Sequence, residues 1–168
     1  MEYYITAIGQ DSHRFVEITS PDPFMKPLIL GGVTIPGNEG LEGNSDADVL
    51  LHALVNAISG VSCINILGAR TDDMCFRQSI TDSREYLKAA LQTLGNDRLV
   101  HISLSVECRR PHMAGHIEAI RKSIADLCGL PSTSVGLTAT SGEGLTDFGR
   151  GLGIQAICII TVKRERYE

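Results

Sequence analysis

The chain has 168 residues, 43% of them apolar, and a formal net charge of −5. That length supports one substantial core and is short for two ordinary domains, so a single domain over residues 1–168 is expected. The acidic balance, relieved only by short basic pairs such as Arg109-Arg110 and Lys163-Arg164, excludes general nucleic-acid binding along a phosphate-tracking stripe.

The apolar run YYITAI reads as a first strand that closes on GQDSHRF. Residues two apart on an extended chain share a face, so Asp11 and His13 project together. They form either a pair of metal ligands or a turn cap beside an ordinary surface histidine. A proline-containing loop leads to PLILGGVTIPG, which reads as a hairpin about Gly31-Gly32, and NEGLEGN then forms a loop.

Ser45-Asp46-Ala47-Asp48 opens DVLLHALVNAISG, whose apolar residues recur at helical spacing until Gly60 stops them. Ser45 fits the N-cap, Asp48 the reciprocal position of a capping box, and Asp46 the first turn. His52 lies one turn after Asp48 on the same helix face, so Asp48 could equally hold the histidine tautomer that frees a ring nitrogen for a metal. From Val61 to Ile80 the pattern is irregular and suggests a loop or lid.

Thr81-Asp82-Ser83 can cap a second helix, SREYLKAALQTLG, and LVHISLSVE follows as a strand. PHMAGHIEAIRKSIADLCGL reads as a third helix stopped at Gly129. SVGLTATS and GIQAICIITVKRE are strands flanking a glycine-rich segment. The apolar run IQAICIITV spans nine residues, where a membrane helix needs about 20, and no basic-then-apolar leader opens the chain. Five cysteines, odd in number and without C-x-x-C, argue against a disulfide framework and for a reducing, cytoplasmic setting.

This order of elements predicts an α+β fold: a mixed, largely antiparallel sheet with helices on one face. Strands such as VGLTAT and AICIITV are apolar enough on both sides for the other face to pack in an oligomer. Two imidazoles and a carboxylate are the ligand set of an open catalytic zinc site, provided the strand bearing Asp11 and His13 meets the helix bearing His52. The alternative is that His52, amid leucines, is a satisfied core residue.

GQDSH, the helix start NSDADVLLHAL, and ATSGEGL followed by GRG resemble, in that order, the motifs of the 2-C-methyl-D-erythritol 2,4-cyclodiphosphate synthase family. The hairpin LGGVTIP and the helix start DSREYL extend the resemblance over nearly the whole chain. It implies a homotrimer with interfacial active sites, zinc on Asp11, His13 and His52, and a second ion, usually magnesium, on Glu143. Read without the resemblance, Glu143 is a solvated loop acid. Ser45 and Ser141 fall where the family contacts substrate phosphates, with Ser141 in place of a usual threonine, and Asp48 joins them in the catalytic set. Asn44, Asp72, Pro111, His112, Met113, Ala139 and Thr140 fall at substrate-binding positions, and Arg150 near the trimer axis.

The family's reaction is an intramolecular phosphoryl transfer in non-mevalonate isoprenoid biosynthesis, which closes a cyclic diphosphate and expels CMP. Several departures from its pattern lie where the family contacts its substrate. Asn44 replaces a histidine, Cys63 and Asn65 stand near a lost ribose-binding aspartate, Arg70 reverses a charge, and His112 changes the cytidine loop. Two alternatives therefore stand beside the synthase: a paralogue acting on another diphosphate, and a non-catalytic zinc-containing trimer that binds a phosphorylated metabolite or a protein partner.

Overall fold

The computed structural model describes residues 1–17 and 26–165. Most of the proline-containing loop expected after the first strand lies outside them. Six strands, β1 (Glu2–Arg14), β2 (Pro27–Leu30), β3 (Val33–Glu39), β4 (Arg98–Glu107), β5 (Val135–Thr140) and β6 (Gly153–Glu165), accompany four α-helices. These are α1 (Val49–Ser62), α2 (Ala69–Gln78), α3 (Ser83–Gln92) and α4 (Ile117–Cys128).

The main sheet has the order β1-β6-β4-β5, antiparallel except for the β4/β5 pair, and β2-β3 form a separate hairpin. β1 alternates, with Ile5, Ala7, Gly9, Asp11 and His13 turned toward α1 and Thr6, Ile8, Gln10 and Ser12 outward. α1 covers β1 and β6, α3 packs on α1, and α4 covers β5. The core therefore lies between the helices and one face of the sheet. On the opposite face Ile8 is 64% exposed and Ile159, its cross-strand partner, 43%.

Several sequence expectations change. β1 closes within GQDSHRF, but at Arg14 and with no turn at Asp11. Its backbone stays paired with β6 as far as Arg14, opposite Gly153, so Asp11 and His13 sit within the strand. Gly60 does not stop α1, which runs to Ser62 and is capped by Cys63 in the left-handed region (φ 58). Gly60 serves close packing instead, since a Cβ there would stand 3.3 Å from the Ala7 Cβ.

The N-cap of α1 is Asp48 and not Ser45. Its carboxylate accepts from the backbone N–H of Leu50 (3.2 Å) and Leu51 (3.1 Å), and also from Gly31 (2.8 Å) and Gly32 (2.6 Å) in the hairpin turn. Ser45 Oγ accepts from Ala47 N–H, at 3.1 Å. The segment expected as a loop or lid contains α2, and the expected third helix divides into a single 3-10 turn (Met113–Gly115) and α4. Gly129, expected as a helix stop, caps α4 with φ 65.

Candidate metal centre

β1 presents Asp11 and His13 toward α1, and α1 presents His52 one turn after its cap, so three donor atoms converge. Asp11 Oδ2 lies 2.9 Å from His13 Nε2 and 2.9 Å from His52 Nδ1, and the two imidazole nitrogens are 3.3 Å apart. Metal bonds of the usual zinc length give tetrahedral edges of about 3.3 Å. The three separations are close to that edge length, all three residues line one pocket, and the donor set suits zinc. Among the described residues these three form the one group of His, Cys, Asp and Glu donors close enough to share an ion.

Burial pushes the Asp11 carboxyl up, but hydrogen bonds from His13 and His52 and the charges of the two rings outweigh it. Together they hold the carboxyl at about 2. The His52 ring is largely buried, edge-on to His13 (centroids 5.4 Å apart) and tilted over Tyr86 (6.2 Å).

The triad opens into a cavity of about 290 Å³ whose wall includes Asn44, Ser45, Thr71, Asp72, Cys75 and Tyr86. α2 supplies Thr71, Asp72 and Cys75, so this side of the pocket is helical. It is tied to the Asn44 segment by Cys75 Sγ, which donates to the Asn44 carbonyl at 3.2 Å. Cys63, exposed at the end of α1, is not among the lining residues.

Two residues that the sequence assigns only to helix starts complete the surroundings of His52. Its Nε2 faces Ser83 Oγ at 2.9 Å, and Ser83 Oγ in turn donates a short hydrogen bond to Asp46 Oδ1. Asp46 Oδ2 accepts from Ser83 N–H at 3.0 Å. The carboxylate behind His52 is therefore Asp46, acting through a serine. Asp48, one of whose two readings put it in that place, is occupied by the four amides described above. Ser83, expected as part of a helix cap, leaves that duty to Asp82, which accepts from Arg84 N–H at 2.9 Å.

The remaining candidates gather elsewhere. Pro111, His112, Met113, Ala139, Thr140 and Ser141 line a second cavity of about 240 Å³, together with Arg109. No residue lines both cavities. Asp11, Ala156, Val106 and Ala139 form one row across the four strands, so three strand spacings, about 14 Å, separate the first from the last. Glu143 and Arg150 are exposed on the segment between β5 and β6. Glu143 has left-handed backbone (φ 48), its N–H donates to Ser141 Oγ at 3.4 Å, and Arg150 Nη1 donates to Asp147 at 3.0 Å. Neither residue joins the Asp11, His13 and His52 group.

A family model described as the YgbB family matches residues 4–163. The 2-C-methyl-D-erythritol 2,4-cyclodiphosphate synthase of Chlamydia caviae is 44% identical over 95% of this chain and 89% of its own length. That of Chlamydia trachomatis serovar L2b is 42% identical over 95% and 88%. Among solved structures, a 2C-methyl-D-erythritol-2,4-cyclodiphosphate synthase in its CDP-bound form superposes with a TM-score of 0.78 and 26% identity, over 94% of this chain and 99% of that one. The bifunctional IspDF from Campylobacter jejuni gives a TM-score of 0.86 and 28% identity over 98% of this chain, which corresponds to 43% of that longer polypeptide. With the order of strands and helices and the Asp11, His13 and His52 cluster already in place, these likenesses make the chain a member of the YgbB family, the family of the 2-C-methyl-D-erythritol 2,4-cyclodiphosphate synthases.

Proposed function

We propose that this chain is a cyclodiphosphate synthase, a phosphorus–oxygen lyase of non-mevalonate isoprenoid biosynthesis. It converts 4-diphosphocytidyl-2-C-methyl-D-erythritol 2-phosphate to 2-C-methyl-D-erythritol 2,4-cyclodiphosphate and CMP. The observation that carries this reading is the donor triangle of Asp11, His13 and His52 beside Ser45 in the first cavity. In the reaction an oxygen of the 2-phosphate bonds to the β-phosphorus, the bond from that phosphorus to the CMP oxygen breaks, and an eight-membered ring closes.

The attacking phosphate is already a nucleophile, so the protein's part is alignment and charge neutralisation. Zinc held by Asp11, His13 and His52 and magnesium held through Glu143 would neutralise the diphosphate oxygens. Ser45, whose oxygen accepts from Ala47 N–H, keeps its own proton for a phosphate oxygen. Ser141 accepts from Glu143 N–H in the same way. The Asn44 amide is a further donor at the cavity rim, and α2 with Tyr86 limits water on the far side.

The two cavities lie too far apart on one chain to grip one substrate across a short span. We infer that the assembly is a homotrimer in which the second cavity of a neighbouring copy faces this triad and receives the nucleotide. The uncovered sheet face about Ile8 and Ile159 is the surface that supports this packing. The test is turnover of the substrate by zinc- and magnesium-loaded protein followed by phosphorus NMR. CMP and cyclic diphosphate in equal amounts are expected, and a protein that binds zinc yet forms neither overturns the assignment. A second reading, a paralogue turned to another diphosphate, is favoured by Arg109 and His112 in the nucleotide cavity. Turnover of a diphosphate with a different base, in preference to the cytidine compound, would select it.

A further inference from the structure

Ser83 is fully buried at the first residue of α3, and its hydroxyl stands between two partners. A hydroxyl has one proton and two lone pairs. The Ser83 hydroxyl donates to Asp46 Oδ1, so its one proton is spent there. What Ser83 offers to His52 Nε2, 2.9 Å away, is then a lone pair, and Nε2 must carry the ring proton.

That choice empties Nδ1. With the ring neutral, the Nδ1 lone pair faces Asp11 Oδ2 at 2.9 Å, an arrangement that calls for a cation between them, and the contact becomes a hydrogen bond to Asp11 only when both ring nitrogens carry protons. Asp46 is itself fixed: its N–H donates to the Thr81 carbonyl at 2.8 Å, and its second oxygen accepts from Ser83 N–H at 3.0 Å. The start of α3 and the loop entering α1 are therefore locked together behind the His52 ring.

We propose that Asp46 and Ser83 are positioning residues that hold His52 in its Nε2–H tautomer and so set the affinity of the centre for a divalent metal. The inference rests on the metal-centre reading above only in taking the cation to be a metal. Partners behind a metal-ligating histidine typically change metal affinity about 10- to 100-fold when removed.

The experiment compares wild type, Ser83→Ala, Asp46→Asn and Asp82→Ala. Asp82→Ala removes the cap of the same helix and leaves the relay intact. Zinc affinity is measured by competition with a chromophoric chelator, and the His52 tautomer of the metal-free protein by long-range proton–nitrogen NMR. Ser83→Ala is expected to weaken zinc binding by about 10- to 100-fold and to give mixed His52 tautomers. Asp46→Asn, which keeps an acceptor but loses the charge, should fall between it and wild type. Asp82→Ala should retain wild-type affinity and the Nε2–H form.

Unchanged zinc affinity in Ser83→Ala, or an equal loss in Asp82→Ala, overturns the relay while leaving the metal centre standing. A wild-type protein locked in the Nε2–H form that binds no zinc overturns the metal-centre reading and, with it, the metal half of this proposal.

Discussion

Gly9 of β1 lies against Ala53 of α1 so closely that a Cβ on Gly9 would stand 2.1 Å from the Ala53 carbonyl oxygen. It would also stand 2.2 Å from Ala57 N, and both obstacles are backbone, so no side chain can swing aside. This approach brings the strand bearing Asp11 and His13 to the helix bearing His52. Gly9→Ala must push β1 and α1 apart, at a cost of about 3 kcal/mol. Chemical denaturation should read that loss, and zinc affinity should fall with it, because the donor triangle spans the same two elements. A variant of wild-type stability and zinc affinity would show that the approach is not needed.

Asp48 is expected to behave as a structural residue. Its carboxylate accepts four backbone N–H groups, two from the start of α1 and two from the hairpin turn, with no solvent exposure. Asp48→Ala strands those amides and removes the cap, a destabilisation of about 3 kcal/mol or more. Asp48→Asn, which keeps one accepting oxygen, should cost less and retain zinc binding. Loss of turnover in Asp48→Asn at unchanged stability would instead return the residue to the catalytic set.

The acid limb of stability in the metal-free protein carries the signature of Asp11. Its carboxyl titrates at about 2 when folded, against an ordinary value of 3.8. A depressed carboxyl stabilises the fold above its unfolded value, and that contribution is lost as pH falls through the folded one. Between pH 4 and pH 2 wild type should therefore lose about 2 kcal/mol from this group. Asp11→Asn should show a shallower decline over the same window, measured by denaturation at each pH. Parallel declines in the two proteins would mean that the imidazoles do not hold the carboxylate.

Glu143 separates catalysis from assembly. The residue is exposed, outside the histidine cluster, and has a left-handed φ of 48. Glu143→Gln keeps size and backbone tolerance while removing the charge proposed to hold the second ion. Turnover should drop at least about 100-fold, the scale of losing one strong electrostatic contact to a reacting group. Zinc content and oligomeric mass should not change. Full activity in Glu143→Gln would remove the residue from the mechanism.

What could be read from the sequence, and what could not, follows from the range of each interaction. Alternation along β1 put Asp11 and His13 on one face, and helical spacing put His52 toward the core, because both periodicities are local. Ser45 and Asp48 are both good caps three residues apart. Asp48 wins because the amides of Gly31 and Gly32, 17 and 16 residues away, converge on it, and no local pattern carries that information. α2 was invisible for another reason. Of ARTDDMCFRQ only Thr71 is buried, so no apolar stripe marks the helix. Ser83 lies 31 residues from His52, and its own neighbourhood reads as a helix cap. The divided arrangement of the candidate site follows from strand order, which a list of motifs does not contain.

The last expectation concerns the face of the sheet that, among the described residues, no helix covers. Ile159 on β6 lies between Ile8 of β1 and Ser103 of β4, with both isoleucines open to solvent in the single chain. A lysine at such an exposed position changes the stability of an isolated subunit by only about 0.5 kcal/mol. Buried at an interface between copies, the same lysine is an unpaired charge and is costly. Ile159→Lys therefore separates the two situations. Wild type should sediment at three times the mass of the 18.1 kDa chain, and Ile159→Lys as a folded monomer. Because Asp11, His13 and His52 all come from one chain, the monomer should still bind zinc. Because the second cavity is then missing from the first, it should not turn over substrate. A wild-type monomer with full activity would mean that one chain spans both cavities, and the interfacial site would have to be abandoned.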